Sequence, residues 1–220
     1  MTGVQTCALP ISQRLKTETQ ALHAAAERSR FMGVLLRGQM QRPAYLALLH
    51  NLHAIYATLE PALSRHAAHP ALAPVFAPAL FRTRALEHDL RVLDAPGAQP
   101  AIALQPATLA YAARLREIDA VEPELLLAHA YVRYLGDLSG GQMLRRIVAQ
   151  GKAFDGRGAV AFYEFGDAVN THALTQAFRA GLGSINVAEA SEDAIVAEAR
   201  SAFALHHRLF DELAGACQLA

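Results

Sequence analysis

One stretch of sequence decides the fold and points to a site: Ala128-His-Ala-Tyr131-Val-Arg133-Tyr134-Leu-Gly136-Asp137-Leu-Ser139-Gly140-Gly141-Gln142. Helical spacing of apolar residues resumes after it at Leu144, Ile147 and Val148, which indicates that the glycines interrupt a helix rather than end it. Three glycines inside a helix cost about 1 kcal/mol each relative to alanine. A purely structural helix has no reason to carry that cost, so the pattern predicts that something approaches the backbone closely here.

Gly136 and Gly140 are four residues apart and therefore share one face of the predicted helix. A planar ligand on that face would lie almost against the main chain, and a break in the helix would free amide groups to donate hydrogen bonds. Asp137 lies beside the same face. Close packing of small residues against another helix is the alternative interpretation of the spacing, but it leaves the neighbouring aspartate unexplained.

The rest of the chain predicts an all-α, single-domain helical bundle. From Ser12 onward nearly every segment shows apolar residues at three- and four-residue spacing, and no segment alternates with period two between hairpin turns. Breaks fall at proline or glycine, with loops predicted at Gly38, His69 to Pro74, Pro96 to Pro100 and Gly151 to Gly158. The predicted helices are 12–29, 31–38, 42–67, 78–93, 106–119, 122–150, 159–182 and 188–216.

Length and charge limit the classes of function. A chain of 220 residues suits one domain, which we predict to span 13–217, and we interpret 1–12 as a non-native or disordered leader because it lacks helical periodicity. Its 20 basic and 20 acidic side chains cancel, so no overall field favours nucleic acid or an anionic membrane. No apolar run reaches the roughly 18 residues of a membrane span. Cys7 and Cys217 form neither a disulfide framework nor a metal-ligand spacing, and we expect a cytoplasmic protein.

Several enzyme classes lack their usual motifs. No glutamate is followed by a histidine three residues later, which argues against a di-iron bundle. The sequence also contains no His-Glu-x-x-His, no Gly-x-x-x-x-Gly-Lys, no Gly-x-Ser-x-Gly and no Cys-x-x-Cys. Zinc hydrolysis, P-loop chemistry, serine esterase chemistry and dithiol redox chemistry therefore lack their parts, and no flavin or nicotinamide motif is present.

Among the histidines, His23 has the sequence context that best suits a metal ligand. In Leu15-Lys-Thr-Glu-Thr-Gln-Ala-Leu-His23-Ala-Ala-Ala-Glu27 it has Glu27 four residues later on the same helical face, and the three alanines leave room for a flat ligand. A histidine that binds iron through one ring nitrogen usually has the other hydrogen-bonded, and Glu27 is within reach. An ordinary surface pair has the same spacing, so this segment alone leaves both interpretations open.

The segment Tyr131-Val-Arg-Tyr-Leu-Gly-Asp-Leu-Ser-Gly-Gly-Gln142 closely resembles the distal-helix signature of haem oxygenases of the biliverdin-forming, soluble bacterial type. The resemblance runs from about Leu15 to Leu213, which is essentially the whole predicted fold. It implies that haem b, as both substrate and cofactor, lies between a proximal helix and a glycine-kinked distal helix. It further implies that O2 opens the ring to biliverdin, carbon monoxide and Fe2+. The electrons would come from a separate donor, namely a ferredoxin, a flavodoxin or an NADPH-dependent reductase.

The resemblance also implies residue roles. His23 is the axial iron ligand, Glu27 is its partner, and Asp137 anchors a water network beside the bound oxygen. The implied catalytic residues are Tyr56, Arg133, Gly136, Asp137, Gly140 and Gly141, and the implied haem-binding residues are Lys16, His23, Glu27, Tyr131, Arg179, Phe203 and Phe210. Gln20 and Thr175 stand where mammalian relatives carry lysine, which leaves fewer positive charges to bind the haem propionates. His206 stands where relatives carry a polar amide side chain near the pocket.

Two alternatives stay open. A non-catalytic haem carrier or sensor would use the same pocket, although Asp137 and its glycines argue against it. A relative of the same architecture that acts on thiamin-type pyrimidines would need a nucleophilic cysteine, and Cys7 and Cys217 lie in implausible places for one.

Overall fold

A computed structural model describes residues 9–93, 103–151 and 159–219. Within these ranges the chain is all-helical, as predicted, and contains no strand. No helix there is both long and apolar enough to cross a membrane. The α-helices are α1 (Ile11–Glu27), α2 (Arg30–Leu36), α3 (Arg42–Arg65), α4 (Thr83–Leu93), α5 (Pro106–Val121), α6 (Leu126–Ala130), α7 (Gly136–Gln150), α8 (Ala168–Ser184) and α9 (Glu189–Ala216). Three short 3-10 turns span Pro78–Leu80, Pro123–Leu125 and Ala161–Tyr163, and a π-helical segment spans Tyr131–Leu135.

Most of the predicted helix ends agree with the structure to within two residues, including both ends of α1, α2, α3, α5 and α9. The helix α1 begins at Ile11, whose side chain is only 1% exposed and belongs to the core, so the fold includes the end of the stretch interpreted as a leader. Residues 1–8, the loop predicted at Pro96 to Pro100 and most of the loop predicted at Gly151 to Gly158 lie outside the described residues.

The predicted helices 78–93 and 159–182 are wrong at their beginnings. The first of these starts with a separate 3-10 turn, and α4 follows only at Thr83. The second contains the 3-10 turn Ala161–Tyr163, and α8 follows at Ala168. Gly166 adopts φ +92°, which a right-handed helix does not allow, and the Asp167 carboxylate accepts a hydrogen bond from the Asn170 amide at 2.8 Å as an N-cap.

The predicted break at the glycines is also wrong. The backbone continues without interruption from α6 through the π-helical segment into α7, and Gly136 has helical angles of φ −61° and ψ −49°. The irregularity precedes the glycines: a π turn accommodates one extra residue, which rotates the following helix face by about 100° relative to a regular α-helix. The π-helical segment therefore determines which way the glycine face of α7 points.

The core lies around α3, which is buried along most of its length and packs mainly against α4 and α5. The long helix α9 packs against α1 and α5. Tyr45, Tyr56 and Tyr111 are at most 1% exposed, so large aromatic side chains fill the space between these helices.

Carboxylates from neighbouring helices cap two helix starts. Glu60 of α3 accepts a hydrogen bond from the amide of Thr83, the first residue of α4, at 3.2 Å. Asp89 of α4 accepts hydrogen bonds from the amides of Ala161 and Phe162, at 2.9 and 2.8 Å, at the start of the 3-10 turn. Burial raises the pKa of both carboxyls, while these hydrogen bonds act in the opposite direction. The first amides of these elements are thus satisfied by groups distant in sequence.

Among the glycines that the structure describes, Gly181 lies closest to the backbone of another segment. A Cβ atom at this position would lie 2.0 Å from the carbonyl oxygen of Pro74, and backbone cannot turn aside as a side chain can. We therefore expect Gly181→Ala to lower the free energy of unfolding by about 1–3 kcal/mol, measured by urea denaturation.

Gly183→Ala is the matched control, because a Cβ there meets no atom within 4 Å among the described residues. It should stabilise α8 by up to about 1 kcal/mol. Equal unfolding midpoints for the two variants would contradict the close approach of α8 to Pro74.

Candidate functional site

Two adjoining clefts open between α1, α7 and α9. The first, which we call the central cleft, has a volume of about 930 Å³ when its opening to solvent is included. It is lined by α1, α2, α3, α7, α9, the π-helical segment and the 3-10 turn Ala161–Tyr163. The second, which we call the polar cleft, is lined by α1, α7, α8, α9 and the π-helical segment. His23, Val132, Gly136 and Phe203 line both clefts, so one large ligand could extend through both.

The glycine face of α7 forms part of the central cleft. A Cβ atom on Gly136 or Gly140 would meet no atom of another part of the described chain within 4 Å, so these residues do not serve close packing against a second helix. The alternative of small-residue packing is therefore wrong for both. Gly141 is buried, and a Cβ there would make an ordinary contact with Tyr163 at 3.7 Å. Two of the three glycines thus leave space at the cleft wall.

A buried polar network lies directly behind this face. Asp137 lines the central cleft and accepts a hydrogen bond from the Tyr56 hydroxyl on one oxygen and from Arg133 Nη2, at 3.1 Å, on the other. The Nε of Arg133 donates to the Tyr56 hydroxyl at 3.0 Å. All three side chains are less than 10% exposed. The carboxylate is therefore held from two sides, by α3 and by the π-helical segment.

Burial determines the protonation of this network. It raises the pKa of the Asp137 carboxyl, although the Arg133 charge and the Tyr56 hydrogen bond act in the opposite direction. It also raises the pKa of the Tyr56 hydroxyl well above its ordinary value, so this group stays protonated as a donor. Burial lowers the pKa of Arg133, but the neighbouring Tyr56 and Asp137 outweigh that effect and keep the guanidinium charged. The site thus presents a carboxyl that retains its proton to higher pH than an exposed aspartate does.

His23 of α1 projects into the same space. Its ring lies edge-on to Phe203, with ring centres 5.9 Å apart and planes at 77°. Its Nδ1 lies 3.6 Å from the nearest Glu27 oxygen, which is just beyond hydrogen-bond distance. The side chain is 49% exposed, and Nε2 has no hydrogen-bond partner within the described part of the chain. Nε2 is therefore the ring nitrogen available to a metal, with Glu27 placed to orient the ring.

The polar cleft brings together the remaining predicted cations. Lys16 of α1 and Arg179 of α8 are both exposed at its wall. Tyr131 is half-buried there, with its hydroxyl 3.4 Å from the Thr19 hydroxyl. Gln20 also lines this cleft. A ligand that extends from the central cleft into this space would meet positive charge at the solvent edge, which suits carboxylate groups.

Thr175 is not part of either cleft wall, and its hydroxyl donates to the Thr171 carbonyl at 2.7 Å. Among the described residues, the cationic side chains at the polar cleft are thus Lys16 and Arg179.

The family model described as "Heme oxygenase" matches residues 9–212. The chain belongs to the haem oxygenase family. It is 37% identical to "Heme oxygenase 1" of Nostoc sp. over 205 residues, which cover 93% of this chain and 86% of that protein. It is 38% identical to "Heme oxygenase 1" of Homo sapiens over 205 residues, which cover 92% of this chain and 71% of the human protein. The resemblance inferred from the distal segment is confirmed.

Solved structures of the haem oxygenase family have the same fold. The crystal structure of heme oxygenase-1 from Synechocystis sp., determined in complex with heme, matches with a TM-score of 0.85 and 35% identity over 94% of this chain and 93% of that one. The heme oxygenase of Leptospira interrogans matches with a TM-score of 0.82 and 31% identity, over 93% of this chain and 100% of that chain. The helical-bundle prediction is therefore confirmed.

The structure places all the residues predicted from the haem oxygenase resemblance in one region. Tyr56 lies behind Asp137 without lining either cleft, and each of the others lines at least one of them. The prediction missed the wall formed by Phe162 and Tyr163, and the resemblance noted His206 without giving it a role. His206 lies three residues after Phe203 and four before Phe210, a helical spacing that would have placed it on the same face.

Proposed function

We propose that this protein is a haem oxygenase, which binds haem b and uses O2 and externally supplied electrons to open the ring to biliverdin, carbon monoxide and Fe2+. The observation that carries the proposal is the open glycine face of α7 beside the buried carboxyl of Asp137. Bound haem supplies the iron that activates oxygen and is itself the molecule that is oxidised. The name and haem complex of the Synechocystis relative support the same proposal.

The residues of the two clefts fit haem. His23 would ligate the iron through Nε2, with Glu27 and Phe203 fixing the orientation of the imidazole ring. Lys16, Tyr131 and Arg179 would hold the propionate carboxylates at the polar cleft. The apolar wall to which Phe203 and Phe210 contribute would cover the porphyrin edge, because burying an aromatic macrocycle against apolar side chains is favourable.

Asp137 would control proton delivery in the central cleft. Tyr56 and Arg133 fix the position of its carboxyl, and burial raises its pKa, so it can hold a proton or orient a water at the cleft wall. Gly136 and Gly140 would leave room for that water and for oxygen beside the main chain. A neutral histidine ligand suits ring oxidation better than a thiolate, whose electron donation favours cleavage of the O–O bond.

The electrons would come from a separate ferredoxin, flavodoxin or NADPH-dependent reductase, because the sequence contains no flavin or nicotinamide motif. We also propose a cytoplasmic location and a haem oxygenase domain that corresponds to the predicted 13–217, extended to include the buried Ile11. The carrier or sensor alternative gives no role to the Asp137 network. For the alternative of a relative that acts on thiamin-type pyrimidines, Cys217 lies after α9 and lines neither cleft, while Cys7 lies outside the described residues.

Aerobic incubation with haem and an electron donor tests the function. Haem binding should produce a Soret band, which should then decay as biliverdin absorbance appears and carbon monoxide is released. A Soret band that persists after reduction in air would identify a carrier instead, and a protein that takes up no haem would contradict both functions.

The propionate contacts should influence which meso carbon is attacked, because they fix the in-plane rotation of haem. We expect the parent protein to make mainly the alpha isomer and Arg179→Ala to give a measurable mixture with beta or delta isomers. A charge-assisted contact contributes about 1.5–3 kcal/mol, and about 1.4 kcal/mol changes a population ratio tenfold. Chromatographic separation of the biliverdin isomers measures the outcome.

Arg146→Ala is the matched control for this prediction, because Arg146 is exposed and lines neither cleft. A single unchanged isomer from Arg179→Ala would show that the shape of the cleft, and not this cation, sets the orientation.

A further inference from the structure

His206 is a buried histidine in the wall of the central cleft. It belongs to α9, is 9% exposed, and its ring lies 4.3 Å from the ring of Phe210 at an angle of 67°. The Nη1 atom of Arg133 lies 3.1 Å from its Nε2 and 3.2 Å from its Nδ1. The same guanidinium holds Asp137 and Tyr56, so His206 adjoins the network described above.

The contact with Arg133 determines which form of the imidazole is present. A guanidinium has only N–H donors, so it can pair only with a ring nitrogen that carries a lone pair. Burial, together with the positive charge of Arg133 and the neighbouring His207, lowers the pKa of His206 well below its ordinary value. The ring is therefore neutral, and whichever nitrogen carries its single hydrogen, that N–H faces a guanidinium that has only donors to offer.

That N–H has no acceptor among the described residues, and a buried donor without a partner carries a desolvation cost. The Asp137 carboxyl, which also lines the central cleft, accepts from Tyr56 and Arg133 and makes no hydrogen bond with the His206 ring. The ring does line the central cleft, on which the glycine face of α7 also opens. An acceptor bound in the cleft beside this ring would supply the partner that the described residues do not.

We propose that the ring N–H of His206 donates a hydrogen bond to an oxygen atom or anion bound in the central cleft beside Asp137. This inference rests on the proposed haem-binding function, which it deepens by adding a second polar group to the oxygen-binding side of the cleft. Arg133 aligns both groups: it holds the Asp137 carboxylate with Nη2 and the His206 ring with Nη1.

Fluoride provides a direct probe, because it binds ferric haem and accepts a hydrogen bond from a neighbouring donor. The ferric haem-loaded protein is titrated with fluoride at fixed pH, and the dissociation constant is read from the visible absorbance. His206→Leu removes both nitrogens and should weaken fluoride binding by about tenfold, which is the effect of one hydrogen bond to a charged group. His206→Gln is the matched control, because its amide can accept from Arg133 and donate into the cleft. We expect it to remain within about threefold of the parent on the same energy scale.

Haem affinity, from a Soret titration, and the thermal midpoint are measured for each variant. Unchanged fluoride affinity in His206→Leu, or equal weakening in both variants, would overturn the proposed donor while leaving the haem oxygenase function intact. A parent protein that binds no haem would contradict the proposed function itself. If the leucine variant does not fold, His206→Phe replaces it, since a phenyl ring fills similar space beside Phe210 without a donor.

Discussion

His23→Ala is expected to abolish haem ring-opening. The side chain lines both clefts, and Phe203 and Glu27 flank its ring. Loss of a residue that merely orients a metal ligand typically costs 10–100-fold, so loss of the ligand itself should leave less than about 1% of the parental rate of biliverdin formation. The Soret band should also shift, because the axial imidazole is gone.

Imidazole added to the medium should restore part of the activity of His23→Ala, since the removed ring leaves space in a half-exposed position. His172→Ala is the control, because this histidine is exposed on α8 and lines neither cleft. An unchanged Soret spectrum with full turnover in His23→Ala would rule out His23 as the ligand.

Asp137→Ala is expected to bind haem normally and yet to form biliverdin about 100-fold more slowly, which is at the low end of what a positioned acid or base contributes. The reason is that the Asp137 carboxyl is the titratable group at which Tyr56 and Arg133 converge beside the glycine face. Single-turnover absorbance measurements after reduction in air would separate haem binding from ring-opening.

Asp137→Asn tests whether the reaction depends on the proton of the Asp137 carboxyl or only on the size of the side chain. The amide retains the volume of the side chain and can still accept from Tyr56 or Arg133, but it cannot titrate. We expect it to be nearly as slow as Asp137→Ala while retaining more of the thermal stability, because Arg133 stays buried beside a polar partner. Biliverdin formation at the parental rate in Asp137→Ala would show that this network does not control the reaction.

The sequence predicts helices well wherever apolar spacing and breaker residues agree. The ends of α3, between Gly38 and the turn after His66, follow from this pattern, whereas the start of α8 requires attention to Gly166 and Asp167 as local signals. The π-helical segment could not be predicted, because no residue type or spacing in Tyr131–Leu135 distinguishes a π turn from an α-helix. The extra residue is accommodated by tertiary packing, in which Tyr134 lies against Tyr56 and Phe178.

In the candidate site, too, local patterns could be predicted from the sequence and long-range contacts could not. The glycine spacing and the His23–Glu27 pair are local patterns, and the structure places both at the clefts. One partner of Asp137, Arg133, is local, but the other is not: Tyr56 is 81 residues away in sequence, and only the family resemblance suggested it. The family resemblance did not predict how His206 is hydrogen-bonded. That arrangement depends on the contact between Arg133 on the π-helical segment and α9, about 70 residues later in the chain.

The carboxylates that cap distant helix starts have a consequence for cooperativity. An isolated segment 83–93 or 159–184 would lack its cap, because Glu60 and Asp89 belong to other helices. These elements therefore gain their first hydrogen bonds only when the tertiary structure assembles, and they should fold and unfold together with α3 rather than fray independently. Phe162 and Tyr163, which line the central cleft, are part of this unit. The amide hydrogens of Ala161 and Phe162 should accordingly exchange with solvent about as slowly as those of the core, so this wall stays formed for as long as the whole protein remains folded.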